Sequence, residues 1–489
     1  METTVRHIDL QNAAREVMRA HGFEPEFPSG VNAQLASLAA HPVPVQAGGD
    51  VRDLRQLPWS SIDNDTSRDL DQIEVAERLP DGRARLLVGI ADVDAFVPKH
   101  TPIDDHASIE TTTVYTGVRN FPMLPEVLST GATSLLEGAD KLCIVIETVI
   151  GTGGTVDTNA VYRAIARNTA QLTYDAVGAW LEGRAPAPPK VAASPVLQAQ
   201  LHLQDEIAQA LRLERFRHGA LNIETIEMRP VMVNDQVVDL ARQSKNRATE
   251  LIEDFMIASN GAVARELERR RVSSIRRIVK TPERWPRIVE LAASHGGSLP
   301  AAPDSKALNE FLIARRAADP DHFADLSLAV IKLMGPGEYV LERPGDPEPG
   351  HFGLAVQDYT HSTAPNRRFA DLVTQRILKA ALAGTVAPYG DQELAAVASN
   401  CTLKEDAARK VEREMSKRIA AVMMSGRIGE LFDAIVTGAT PKGTFVRVVK
   451  PHVEGMLVQG AQRADVGDAL RVKLVRTDVS RGYIDFARA

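Results

Sequence analysis

The chain has 489 residues, enough for about two to four domains, and its 44% hydrophobic and 25% charged residues exclude a disordered, collagen-like or coiled-coil protein. Its 57 basic and 64 acidic residues give a formal net charge of −7, so binding to nucleic acid would need a local basic track. The two cysteines, Cys143 and Cys401, are too few for a disulfide framework, and the apolar runs are too short to span a membrane, so a cytoplasmic protein is expected.

Residues 1–50 predict a small helical domain. Apolar residues recur at helical spacing in residues 9–21, and a second helical stretch follows at 31–38. Two short helices joined by a turn are compatible with a helix-turn-helix, and equally with a small cap that packs on the main domain. Both alternatives stay open at this point.

Residues 51–427 predict a larger domain of mixed α+β architecture. From Val51 to Ile150, alternating or continuous apolar runs are typical of strands separated by turns. A sheet core surrounded by helices follows from this order of elements. The later periodic segments predict helices at residues 196–217, 245–271, 366–382 and 403–428.

Residues 428–489 predict a small barrel of the OB type. They contain five short β-type runs separated by turns that contain glycine. Basic side chains make this part of the chain locally attractive to phosphate, in spite of the acidic total. These residues are Lys442, Arg447, Lys450, Arg471, Lys473 and Arg476.

An acidic cluster stands just before one of the predicted strands. The segment IDNDTSRDLDQ places Asp63, Asp65, Asp69 and Asp71 within nine positions. Carboxylates this close repel one another unless cations lie between them, which favours a site for Mg²⁺ or Mn²⁺. Taken alone, a solvated acidic turn explains the cluster equally well.

This acidic segment resembles the catalytic (RNB) domain of the ribonuclease II family, and four later segments resemble it in the same order. They are VGIADVDAFV, the stretch from Thr111 to Glu147, LIEDFMIASN and HFGLAVQDYTHSTAPNRRFADLVTQRIL. The resemblance covers about residues 51–425, and the barrel after it is S1-like. It implies a processive 3′-to-5′ exoribonuclease that uses Mg²⁺, with Mn²⁺ as a substitute, to degrade single-stranded RNA to nucleoside 5′-monophosphates in RNA turnover.

The resemblance also implies the catalytic residues. Asp63, Asp69 and Asp71 fall where the family has its catalytic aspartates, and these would hold the metal. The family usually has a fourth aspartate where this chain has Gln72. A glutamine carbonyl can ligate a hard cation but brings no charge, so the number of metal ions is left open.

The remaining implied residues would bind RNA. Arg367 is expected to grip the scissile phosphate with its planar fork, with Arg368 binding the backbone beside it. Tyr115 matches the tyrosine that packs on the 3′-terminal nucleotide, and Glu412 matches a glutamate near the terminal nucleotides. Outside this motif, Tyr115 would be read as a core residue and the arginines as part of a helix surface. Further candidate contacts are Arg276, Arg277 and, in the barrel, Phe445 with His452 on the next loop.

Two departures from the family pattern bear on function. Relatives usually carry two cold-shock domains before the catalytic domain, whereas about sixty residues precede Asp63 here. The N-terminal helices are therefore expected to form part of the RNA entry rim of a monomeric enzyme, and to admit RNA with a structured region and a 3′ overhang. Because of Gln72, a non-catalytic RNA-binding regulator derived from an RNB enzyme is the alternative. A metal-dependent phosphatase is a third reading, which predicts no S1-like tail.

Overall fold

The computed structural model describes residues 9–224, 227–233, 236–243, 245–320, 322–347, 350–440, 443–462 and 464–489. Its strands, in chain order, are β1 Val51–Asp53, β2 Ser60–Asp63, β3 Gln72–Arg78, β4 Ala84–Ala91, β5 Val114–Tyr115, β6 Asn120–Phe121, β7 Asp140–Ile150, β8 Val156–Arg167, β9 Ala170–Thr173, β10 Glu227–Val233, β11 Gln236–Gln243, β12 Ser274–Ile278, β13 Glu338–Glu342, β14 Leu431–Thr440, β15 Gly443–Val448, β16 Val453–Gln459, β17 Ala469–Asp478 and β18 Tyr483–Arg488. Its α-helices are α1 Leu10–Ala20, α2 Ser29–Ala40, α3 Pro102–Glu110, α4 Tyr174–Leu181, α5 Pro189–Ala192, α6 Pro195–Arg217, α7 Arg247–Arg269, α8 Trp285–Ser294, α9 Ser305–Ala318, α10 Phe323–Met334, α11 Phe369–Ala383 and α12 Asp391–Ser425.

A seven-stranded mixed sheet forms the centre of the main domain. Its strand order is β1-β8-β7-β4-β3-β2-β9, with β1–β8 and β2–β9 parallel and the other pairs antiparallel. The central strands β4 and β7 are rich in apolar residues, as expected of strands that helices cover. In β7, the residues from Leu142 to Ile146 are all buried. The expected mixed α+β architecture is confirmed.

The strands β2 and β3 form the hairpin that organises the candidate site. They pair only at Ser60 and Glu74, and the connecting segment from Asn64 to Asp71 makes a wide loop. The hairpin therefore opens toward the end at which Asp63 leaves β2 and Asp71 enters β3.

The N-terminal helices pack on the main domain. Helix α1 contacts the long helix α12, and α2 contacts α3. Val17, Met18 and Phe23 form an apolar cluster with Val114 of β5 and with Val411 of α12. Burial of this face gives α1 its stability, because an eleven-residue helix is marginal alone. This is the arrangement that the cap alternative describes.

Several elements differ from the sequence-based expectation. Helix α11 begins at Phe369 rather than at residue 366, and α12 begins at Asp391, well before residue 403. The three helices α8, α9 and α10 were not predicted, and they enclose a small apolar core of their own. Trp285 belongs to that core, because it is 2% exposed and donates a hydrogen bond to the Pro300 carbonyl.

The last five strands close into the predicted barrel, in the order β14-β15-β16-β18-β17. Its core continues into Ala421 and Met424 at the end of α12, so the barrel is seated on that helix. Arg447 of β15 makes a two-pronged ion pair with Asp325 of α10. The predicted basic residue Lys442 lies outside the described residues. None of the helices in the described part of the chain is long and apolar enough to cross a membrane.

Candidate active site

Asp63 and Asp69 line the mouth of the hairpin formed by β2 and β3. Asp63 is partly buried, and its Oδ1 accepts hydrogen bonds from the Asn64 backbone at 2.8 Å and from the Ser67 hydroxyl at 2.6 Å. These bonds hold the start of the loop against the strand end. Burial raises the pKa of Asp69, and the nearby negative charge of Asp63 raises it further.

Asp71 is the most deeply buried of the three, with 2% of its surface exposed. Its Oδ1 accepts from the Asn366 backbone at 3.1 Å, and its Oδ2 accepts from Nε of Arg367 at 3.3 Å. Burial raises the pKa of Asp71 to about 7, although Arg367 and the Asn366 hydrogen bond oppose the increase. The positive charge of Arg367 therefore offsets only part of the cost of burying this carboxylate.

Arg367 and Arg368 precede α11 and have different environments. The side chain of Arg367 is 46% exposed, and its only hydrogen bond to a described residue runs through Nε to Asp71. Its two terminal nitrogens make no hydrogen bond to a described residue. Arg368 instead grips the fully buried Asp371 at 2.7 and 2.8 Å, and so anchors the first turn of α11.

Tyr115 is brought to this centre by backbone pairing. The Thr113 amide donates to the Arg367 carbonyl at 3.0 Å, which ties the segment before Tyr115 to the segment before α11. The amide of Tyr115 donates to Glu412 of α12 at 3.2 Å, and 41% of the tyrosine is exposed. Partial enclosure raises the pKa of its hydroxyl to about 12, opposed by Arg367 and assisted by the surrounding aspartates.

The donor set of this centre fits a hard divalent cation. Asp63, Asp69 and Asp71 supply carboxylate oxygens, the ligands that Mg²⁺ prefers. Their ligand atoms do not lie within 4.8 Å of one another in the described structure; His100, Asp104 and Asp105 form the group that does. Asp104 of that group already binds the buried Arg376 at 2.7 Å.

Two residues near the aspartates were missed by the sequence reasoning. Glu74 is completely buried in β3, and neither of its carboxyl oxygens has a hydrogen-bond partner in the described structure. Tyr174, at the start of α4, interacts electrostatically with Asp63 and Glu74. The signal for the first was a glutamate between the apolar residues Ile73 and Val75 of the strand. The second lies more than 100 residues beyond the cluster and gave none. Gln72, at the start of β3, is 6% exposed.

The other candidate RNA contacts are Arg276, Arg277 and Phe445. Arg276 is 2% exposed and binds Glu342 at 2.8 and 2.9 Å; Arg277 is 7% exposed and binds Glu405 at 2.5 and 2.9 Å. Their guanidinium groups are thus engaged inside the protein, which weighs against contact with RNA. Phe445 of β15 is partly exposed on the barrel. As RNA contacts, all three stay predictions.

Comparison with known proteins gives two family matches. Residues 51–384 match the model of the RNB domain, and residues 430–489 match that of the RNase II-type exonuclease C-terminal S1 domain. Ribonuclease R of Escherichia coli is 30% identical over an alignment of 455 residues that covers 90% of this chain and 55% of that protein. Ribonuclease R of Thermotoga maritima is 29% identical over 467 residues, covering 89% and 64%. The chain thus spans just over half the length of the first of these relatives.

Solved structures agree in fold. Mycoplasma genitalium RNase R in complex with ribose methylated single-stranded RNA matches with a TM-score of 0.87 at 21% identity, over 98% of this chain and 78% of that one. The same enzyme in complex with double-stranded RNA gives 0.85, also at 21% identity, over 98% and 83%. Yeast Ssd1, a pseudonuclease, gives 0.72 at 16% identity, over 96% and 59%. Because the RNB model covers most of the sequence, this chain belongs to the RNB family of ribonuclease R-like proteins.

Proposed function

We propose that this protein is a 3′-to-5′ exoribonuclease that hydrolyses single-stranded RNA to nucleoside 5′-monophosphates with the help of Mg²⁺. Mn²⁺ would serve as a substitute, since both are hard cations that bind carboxylates. The two free, buried cysteines support a cytoplasmic setting. We assign residues 1–50 to a helical N-terminal domain, 51–427 to the catalytic domain and 428–489 to an RNA-binding barrel.

One observation carries the proposal: Asp71, Arg367 and Tyr115, which lie far apart in the sequence, form one connected group. Asp71 holds Arg367 by a side-chain bond, and the backbone of Arg367 holds the segment that leads to Tyr115. A carboxylate, an arginine and an aromatic residue held in one group are what hydrolysis at the end of an RNA strand requires. A phosphatase would have no use for the S1-type barrel that follows.

The metal would be held by Asp63, Asp69 and Asp71. When bound, it supplies an activated water and neutralises charge on the phosphate oxygens. Burial raises the pKa of Asp71, and a bound cation would stabilise its charged form. Gln72 would add at most a neutral oxygen.

The protein's own residues would position the substrate. Arg367 is fixed through Nε by Asp71, so its terminal nitrogens can form two parallel hydrogen bonds to the scissile phosphate. Tyr115 presents an exposed ring, anchored by Glu412, on which the 3′-terminal base can stack irrespective of its identity. Asp71 thus acts on the phosphate partly through the arginine that it orients.

Gln72 supports a second candidate function, a non-catalytic RNA-binding regulator. A neutral side chain in place of the usual fourth aspartate weakens the hold on a second cation. Binding alone would need only the aromatic and basic groups, so the buried Asp71 paired with Arg367 favours the enzyme.

The decisive experiment incubates 5′-labelled single-stranded RNA and DNA of the same sequence with Mg²⁺. The wild type should release mononucleotides from RNA and leave a short labelled remnant, while DNA stays intact. The variant Asp71→Asn should still bind RNA but leave it uncut, because the shape is kept and the charge is lost. If the wild type leaves the RNA intact, the non-catalytic RNA-binding regulator becomes the favoured function.

A second substrate tests how the RNA enters. A hairpin with a 3′ single-stranded tail should be degraded into its stem if the N-terminal helices leave a wide entry. A stop several nucleotides before the stem would contradict that part of the proposal. Fully single-stranded RNA of the same length is the control, since it needs no opening of base pairs.

A further inference from the structure

The buried carboxyl group of Glu74 has no hydrogen-bond partner among the residues that the structure describes. Glu74 is completely enclosed, and both of its oxygens lack a hydrogen bond in the described structure. The hydroxyl of Ser60, directly across the hairpin, is also enclosed and unpartnered. Natural proteins rarely leave a carboxyl group in this state, because desolvation is costly unless a cation or a donor replaces the water.

Its position relates Glu74 to the candidate metal site. Residues two apart on a strand share a face, so Glu74 lies on the same face of β3 as Gln72, one step farther from the loop. Asp63, at the mouth of the same hairpin, is the charged side chain that interacts electrostatically with Glu74. Pairing between β2 and β3 ends at Glu74, so the hairpin is open between this residue and the aspartates.

We propose that Glu74 supplies the carboxylate that Gln72 lacks, so that the divalent-cation site of this protein is completed from the next inward position of β3. This inference rests on the proposed function, and it specifies which residues hold the cation there. A glutamate side chain is one methylene longer than an aspartate, which offsets part of the shift along the strand. The cation is then the partner that the buried carboxylate otherwise lacks.

The test measures binding of Mn²⁺ alone by titration calorimetry, without RNA, on the full chain. Glu74→Gln should weaken Mn²⁺ binding about tenfold or more, the range seen when metal-site partners are removed. The double variant Gln72→Asp, Glu74→Gln should recover most of the affinity, because it restores a carboxylate at the usual position. Glu77→Gln, at an exposed position of the same strand, is the matched control and should bind like the wild type.

Thermal unfolding without metal checks that Glu74→Gln is folded, and a neutral amide in this buried place should not lower the midpoint. Wild-type affinity in Glu74→Gln would overturn the inference, and a bridging water would then account for the unpartnered oxygens. A loss that Gln72→Asp does not recover would also overturn it. If the wild type binds Mn²⁺ as described but cuts no RNA, the exonuclease proposal fails and the inference about Glu74 stands.

Discussion

Glu110 links the stability of the N-terminal helices to pH. It ends α3, is 4% exposed, and its Oε1 accepts a hydrogen bond at 2.9 Å from the backbone of Glu24, between α1 and α2. Burial raises the pKa of Glu110 from 4.5 to about 7, although the Glu24 hydrogen bond and Lys404 oppose the increase. The protonated form is therefore the one that favours the docked state.

The sign and size of the effect follow from this shift. The folded-state pKa lies above the unfolded value, so the stability contributed by Glu110 is complete below pH 4.5 and is lost as the pH rises through 7. A difference of 2.5 between the two pKa values corresponds to about 3 kcal/mol in total. Because part is already lost at pH 5.5, about 2 kcal/mol of it should disappear between pH 5.5 and 8.5.

The variant Glu110→Gln keeps the acceptor oxygen and removes the titration. Hydrogen exchange of the amides of α1 and of the segment around Glu24 measures the free energy of local opening, without assuming that the whole chain unfolds in one step. The advantage of Glu110→Gln over the wild type should grow by about 2 kcal/mol between pH 5.5 and 8.5. Glu126→Gln, at an exposed position, controls for loss of a carboxylate. An equal difference at both pH values would refute the reasoning.

Substitutions at three further positions test the roles assigned to their side chains. Arg367→Lys keeps the charge but loses the planar fork, so kcat/KM for RNA should fall about 100-fold with little change in thermal stability. Tyr115→Ala should weaken binding of single-stranded RNA about 5- to 150-fold, and Tyr115→Phe should bind like the wild type, because stacking needs only the ring. Arg276→Ala leaves Glu342 buried without its partner, so the free energy of unfolding should fall by about 3–5 kcal/mol. RNA affinity below the unfolding temperature should stay unchanged; a selective loss of affinity would instead make Arg276 an RNA contact.

The sequence located the acidic hairpin because its signal is local. Asp63, Asp69 and Asp71 are close in the chain, and a strand begins directly after them. The five strands of the barrel were likewise visible from alternation and glycine turns. By contrast, the link between Asp71 and Arg367 joins residues 296 positions apart, and only the family resemblance indicated it.

What the sequence did not reveal has a common physical reason: contacts with residues distant in sequence decide whether a side chain is buried or exposed. Arg276 and Arg277 stand in a charged stretch that is typical of a solvated surface, but Glu342 and Glu405 neutralise them inside the fold. Glu74 was read only as part of a strand, because burial is a property of the assembled sheet. The helices α8, α9 and α10 have 10, 14 and 12 residues, against 23 in α7 and 35 in α12, so each offers fewer turns over which apolar spacing can be recognised.

The length of α12 sets the distance between two proposed RNA-binding surfaces. This single helix carries Glu412 beside Tyr115 and ends at Ser425, against the core of the barrel. At a rise of about 1.5 Å per residue, the two points are about 20 Å apart, which stacked bases at about 3.4 Å each would cover with about six nucleotides. If the proposed function holds, a fragment shorter than this would reach only one of the two surfaces, and we expect digestion to stop near that length.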